Sequence, residues 1–160
     1  KEPNGCDVGY PYLYEVRNTS DKTVVKTDFT VEIRKKAYAP YSHFRVGVAI
    51  LLDNDKIVLG SNQENAAYPS GLCAERVAIF SAGALYPEAK IIKMAITATA
   101  DHNPTLTPIP PCGACRQSIS EYEIKQEQPI EIYFMGESGS IYKSYSLKNL
   151  LPLMFDKKLL

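Results

Sequence analysis

Eighteen lysines and arginines are matched by eighteen aspartates and glutamates, so the 160-residue sequence lacks the bulk charge that would draw it to nucleic acid or an anionic membrane. It also lacks a basic strip interleaved with aromatics of the kind that stacks single-stranded bases. No apolar run approaches the roughly 20 residues that a bilayer crossing needs, and the first residues lack the basic-then-apolar order of a signal peptide. A cytoplasmic protein is the expectation; the sequence begins at Lys1 rather than Met, which leaves a removed targeting segment open. Four cysteines are too few for a disulfide scaffold. There is no internal repeat and no low-complexity tract. A hydrophobic fraction of 45% over this length suits one compact core, and a small neutral ligand fits the charge balance better than a polyanion.

Residues 1–27 differ from the rest, with Pro3, Gly5, Gly9, Pro11 and a Tyr10, Tyr12, Tyr14 alternation but no helical period. They read as an N-terminal extension with one added strand, and 28–160 as the domain proper. From Asp28, the spacing of Phe29, Ile33 and Ala37 up to Pro40 predicts a short amphipathic helix. The apolar runs 45–52 and 56–60, separated by Asp53-Asn54-Asp55, predict a hairpin. Helical spacing over 72–85, a strand over 91–99, a helix over 112–122, strands over 130–135 and 141–145, and a short helix over 147–155 follow. The strand-helix-strand-helix-strand order in the middle predicts parallel pairing with right-handed crossovers: an α/β protein, a three-layer α/β/α sandwich with a mixed, centrally parallel sheet.

That topology sets two helix N-termini side by side at the carboxyl edge of the sheet, so Cys73 and Cys112, 39 positions apart, are expected to share one site. Cys73-Ala74-Glu75 opens the first of these helices and Pro110-Pro111-Cys112-Gly113-Ala114-Cys115 the second. The partial positive charge of a helix N-terminus favours the thiolate that zinc requires. Cys73, Cys112 and Cys115 on a tetrahedral Zn²⁺ leave a fourth position for water, the layout of a catalytic centre. Cys112-x-x-Cys115 alone fits a structural zinc or a redox pair equally well, and Cys73-Ala-Glu75 on the preceding helix decides for a catalytic metal. Three thiolates on Zn²⁺ leave about one net negative charge, and Arg76 is placed to reach a sulfur and offset it. Glu75, two positions after a ligand, is placed as general base and then acid. Cys6 reads as a bystander, His43 as a packing or hydrogen-bonding residue, and His102 as solvent-exposed. Arg116 reads equally as a prop for the second helix or as a surface ion pair.

Tyr41-Ser42-His43-Phe44-Arg45-Val46-Gly47, Asn62-Gln63-Glu64-Asn65-Ala66, Cys73-Ala74-Glu75-Arg76, Pro111-Cys112-Gly113-Ala114-Cys115-Arg116-Gln117 and Leu151-Pro152-Leu153-Met154-Phe155 stand in an order and spacing that resembles the small, homotetrameric cytidine deaminases. The resemblance covers about residues 28–156. It implies one Zn²⁺ per subunit and hydrolysis of cytidine and deoxycytidine to uridine, deoxyuridine and ammonia, in pyrimidine salvage. It further implies that Phe44 packs on the pyrimidine, Asn62 and Glu64 bond the ribose hydroxyls, and the Ala74 backbone meets the base near its amine. Glu75 takes a proton from the attacking water and hands it to ring N3. A homotetramer is implied, with a homodimer as the alternative. In it Phe155 reaches a neighbouring subunit's site, though Phe155 alone reads as the apolar anchor of the last helix.

The rival readings are a blasticidin-type cytosine-antibiotic deaminase and a catalytically silent, zinc-stabilised binding module; Asn62-x-Glu64 speaks for a sugar-bearing substrate, because a buried carboxylate without its hydroxyl partner is costly. Glu64→Gln is expected to raise the KM for cytidine far more than it lowers kcat, measured in steady-state assays, and equal losses in both would remove Glu64 from the ribose site.

Overall fold

The structure is a computed structural model that describes residues 5–7, 12–16 and 28–160. In chain order these form β1 (Gly5–Asp7), β2 (Tyr14–Val16), α1 (Asp28–Lys35), β3 (Phe44–Leu52), β4 (Ile57–Ser61), α2 (Ala74–Leu85), β5 (Ile91–Ala100), α3 (Gly113–Gln126), β6 (Glu131–Met135) and β7 (Ile141–Ser144). The strands make one seven-stranded sheet in the order β1-β2-β7-β6-β5-β3-β4.

Side-chain alternation along β3 decides which helix covers which face. Val48, Ile50 and Leu52 point to one side and join a core with Ala78, Ile79 and Ala82 of α2, Ile119 of α3, and Met94, Ile96, Ile132 and Phe134 of β5 and β6. Gly47 points to the other side, where a Cβ would stand 2.3 Å from the Thr30 carbonyl oxygen and 2.7 Å from the Arg34 nitrogen of α1. Helices therefore cover both faces, and the expected α/β/α sandwich is present. A smaller apolar cluster of Val16, Ala95, Tyr133, Met135 and Ile141 lies on the α1 side.

The expected parallel pairing holds only at β5–β6. The hairpin places β3 antiparallel to β4, and the other edge of β3 takes β5, also antiparallel, over nine paired positions from Phe44↔Ala100 to Leu52↔Ile91. β4 and β5 thus run in the same direction with β3 between them. Both crossovers still carry a helix over the same face, so both helix N-termini return to the same edge.

Three further expectations are corrected. The inner face of α1 is Thr30 and Arg34, with Ala37 just beyond its end, while Phe29 is half exposed, because the close approach at Gly47 admits backbone and polar stems instead of a large apolar side chain. The helix expected over 147–155 is one 3₁₀ turn, Leu147–Asn149, capped by Ser146, since Pro152 disfavours helical geometry in the residue before it and offers no N–H. The N-terminal segment holds two strands rather than one: β2 docks antiparallel on β7 with Tyr14 opposite Lys143 and Glu15 opposite Tyr142, and Ser140 Oγ donates to Glu15 Oε1 at 2.5 Å. The Cys6 side chain lies outside the described residues.

Gly60 of β4 is where the sheet meets the first turn of α2: a Cβ there would stand 2.6 Å from both the Ala74 carbonyl oxygen and the Ala78 nitrogen. Gly60→Ala is expected to destabilise by about 1–3 kcal/mol in urea unfolding. Gly113→Ala, where a Cβ meets nothing within 4 Å, should not lower stability.

Candidate active site

Cys73 and Cys112 are the N-cap residues of α2 and α3, each in extended geometry, and neither side chain is used to cap its helix. Their backbone carbonyls accept the first helical bonds, from Arg76 and Val77 in one case and Arg116 in the other, which leaves both sulfurs free to turn toward each other. The two Sγ atoms are 3.8 Å apart. Cys115, at the third helical position of α3, is buried and completes the group: the three sulfurs lie within 4.8 Å of one another. A tetrahedral zinc with bonds of about 2.3 Å spaces its sulfur ligands about 3.8 Å apart. The donor set therefore fits Zn²⁺ in number, chemistry and spacing. Among the described residues neither His43 nor His102 belongs to the group.

The electrostatics of the bare cluster point the same way. Donation from the Cys115 thiol, helped by Cys112 and by the Arg76 guanidinium, draws Cys73 down to about 5. The shared hydrogen bond and burial push Cys115 in the opposite direction. One thiolate is thus easily formed, and three demand a cation. Glu75, only 5% exposed, is pushed up to about 7 by burial, with the Cys73 charge adding to the shift. Its carboxyl bears on the Cys73 and Cys115 sulfurs, at the place where it can hold a proton beside the metal position. Arg76 also lies close, with Nη2 3.5 Å from the Gly71 carbonyl and a buried Nε that has no hydrogen-bond partner.

A cavity of about 500 Å³ opens beside Cys73, lined by Asn62, Glu64, Arg76, Tyr41 and Tyr68 among others. Its size suits a small ligand. The strip 62–64 reaches this wall because it is stitched on both sides. Tyr38 N donates to Asn62 O and Glu64 N to Tyr38 O, while Gln63 and Leu72 exchange bonds at 2.9 Å. The sequence reading missed what the side chains of this strip hold. Asn62 Oδ1 accepts from Val46 N and its Nδ2 donates to the Phe44 carbonyl, both at 2.8 Å. Glu64 accepts from the Tyr41 and Ser42 backbone N–H groups at 3.0 and 3.2 Å and from the Ser42 hydroxyl. These contacts span loop closures of 16 to 23 residues, which no local periodicity signals.

Ala74 is fully buried and Phe44 half-buried, and neither lines this cavity in the single chain. Phe155 is 56% exposed, and its carbonyl accepts from Gln117 Nε2 at 2.9 Å. Arg116 acts as a prop, donating to the Pro111 carbonyl at 2.8 Å and to the Leu150 carbonyl at 3.0 Å, so it ties the chain ahead of Cys112 to the C-terminal segment.

A model of the cytidine and deoxycytidylate deaminase zinc-binding region matches residues 21–128. The chain is 45% identical over 125 residues to the cytidine deaminase of Halalkalibacterium halodurans, covering 78% of this chain and 87% of that protein. It is 38% identical over 125 residues to that of Sporosarcina psychrophila, covering 78% and 85%. The crystal structure of cytidine deaminase from Burkholderia pseudomallei superposes with a TM-score of 0.67 at 35% identity, covering 80% of this chain and 94% of that one.

Wild-type protein dialysed against trace metal is expected to retain a full equivalent of zinc by plasma mass spectrometry, and Cys73→Ser and Cys115→Ser to retain markedly less. Undiminished zinc in both variants would place the metal elsewhere.

Proposed function

The chain belongs to the cytidine and deoxycytidylate deaminase family, and from that premise we propose that it hydrolyses cytidine and deoxycytidine to the uracil nucleosides and ammonia, with Zn²⁺ held by Cys73, Cys112 and Cys115. The observation that carries this reading is the three-sulfur cluster with the buried Glu75 carboxyl against it, at the edge of a cavity walled by Asn62 and Glu64. When bound, zinc supplies Lewis-acid activation of the attacking water. Every other step belongs to the chain. Asn62 and Glu64 bind the ribose hydroxyls, and each keeps free hydrogen-bonding capacity for them. Asn62 has a second amide hydrogen, and Glu64 accepts three bonds where a carboxylate has about four lone-pair sites. Phe44 orients the pyrimidine and the Ala74 backbone meets its amine side. Glu75 takes a proton from the water and delivers it to N3 as oxygen bonds to C4. It then carries the second water proton to the departing amine, so that the C4–N bond breaks, ammonia leaves and a C4 carbonyl remains.

Burial pushes the Glu75 carboxyl up to about 7, and a carboxyl raised in this direction is matched to the double task, since it accepts and returns a proton at little cost. The reading includes a homotetramer in which the half-exposed Phe155 closes a neighbouring subunit's site. No described helix is long and apolar enough to cross a membrane.

Incubating the zinc-loaded protein with cytidine should give the ultraviolet change to uridine together with stoichiometric ammonia. A panel with deoxycytidine and blasticidin S separates the readings, and activity on the antibiotic alone would overturn the nucleoside assignment. Glu75→Ala should keep its zinc while kcat falls by about 10²- to 10⁴-fold. Wild-type-like turnover in that variant would remove Glu75 from the chemistry.

A further inference from the structure

Next to the cavity-lining Ser42, His43 stands in the left-handed backbone region that few non-glycine residues enter, with φ of 53°. A non-glycine residue stays there only where its surroundings impose it. The reversal at His43 directs its two neighbours to different partners. Ser42 Oγ donates to Glu64, and the Phe44 carbonyl accepts from Asn62. The left-handed turn therefore sets the orientation of both side chains that the proposed function assigns to the ribose.

What imposes the turn touches neither of them. The His43 N–H donates to the Ala39 carbonyl at 3.1 Å, and the His43 carbonyl accepts from Asp101 N at 2.8 Å. The Asp101 carboxylate takes a two-armed bond from Arg45, Nε to Oδ1 at 2.6 Å and Nη2 to Oδ2 at 3.1 Å, while Arg45 Nη1 donates to the Ala37 carbonyl at 2.9 Å. His43 Nδ1 stands 3.8 Å from the same carboxylate. One guanidinium thus joins the segment leaving α1, the start of β3 and the loop leaving β5. A planar fork on a carboxylate fixes direction as well as distance, which a lysine ammonium does not.

We propose that Arg45 and Asp101 are positioning residues for nucleoside recognition, whose fork locks the turn at His43 and so holds Asn62 and Glu64 in the orientation that reads the ribose. The inference rests on the proposed function. The side chains are 33% and 26% exposed, and an ion pair so open to solvent adds little to global stability. Its effect therefore falls on geometry, and the signature is a rise in KM without a change in the unfolding midpoint.

The test uses the full zinc-loaded chain. Arg45→Lys keeps the charge and loses the fork; Asp101→Asn keeps the shape and loses the charge. Each is expected to raise the KM for cytidine about tenfold, the loss of one charge-assisted hydrogen bond, with kcat, zinc content and thermal midpoint near wild type. Because the two act through each other, the double variant should be no worse than the worse single, and Asp101→Glu should recover part of the KM. An unchanged KM, kcat and kcat/KM falling together, or additive effects in the double variant would overturn the clamp while wild-type turnover leaves the deaminase reading standing. Absence of turnover in the wild type would instead sink that reading and the clamp with it.

Discussion

Three cysteine sulfurs confined within 4.8 Å of one another are the constraint to which the rest of the site answers. Thiolates repel, so Cys73 ionises easily while Cys115 resists ionisation. A divalent cation removes that conflict, and the three sulfurs lie close enough together to hold one. For this to work the sulfurs must be brought together by elements that resist their repulsion. Two helix N-termini do so, each adding its own partial positive charge. The sheet supplies the rigidity, and it does so through absences of side chain. Gly60 lets α2 settle onto β4 at its first turn, next to Cys73, and Gly47 lets α1 settle on the opposite face.

Around the sulfurs, the cavity wall is built from residues that already hold the chain, and the proposed function gives them a second task. Asn62 and Glu64 hold the chain at 41–46 as firmly as they would hold a ligand. This has an energetic reason. A polar group waiting in a cavity for its substrate is costly if left alone. One already fixed by backbone donors has its orientation settled, and ordering it does not have to be supplied at binding. Pre-organisation of this kind depends on 41–46 being rigid in turn, which brings in the left-handed turn at His43 and the fork beneath it.

Much of this was legible in the sequence, and for identifiable reasons. The apolar runs around Asp53-Asn54-Asp55 and the helical spacing after Cys73 are local patterns, and the elements they predict form within a residue or two, apart from the C-terminal end of α3. The meeting of Cys73 with Cys112 follows from the direction of two crossovers, and it survives the insertion of β3 between β4 and β5 because that insertion leaves both strands running the same way. The insertion itself is a matter of edge pairing between residues 39 to 56 positions apart and has no local mark. The inner face of α1 was misread because Phe29 and Ile33 have the right spacing. The face that packs is decided by Gly47, on another element, which admits Thr30 and Arg34 at backbone contact distance. At the C-terminus, a run of leucines looks helical until Pro152 is weighed.

In the proposed zinc centre the charge balance turns on Arg76, which acts on the Cys73 sulfur. Three thiolates and Zn²⁺ sum to one negative charge, which by itself would make the attacking water harder to deprotonate and push Glu75 further toward its protonated form. Arg76 follows Glu75 in sequence and acts on the Cys73 sulfur, and no ion pair to a carboxylate accounts for its charge among the described contacts. Its Nε is buried without a partner, and the Nη2 bond to the Gly71 carbonyl, at 3.5 Å, is at the limit of hydrogen-bond distance. Arg76 is half-buried and lines the cavity, and its positive charge acts both on the Cys73 sulfur and on the Glu75 carboxyl, lowering the pKa of each. Arg76 thus sets a cation beside the sulfurs, the arrangement that the proposed role of Glu75 as proton carrier calls for.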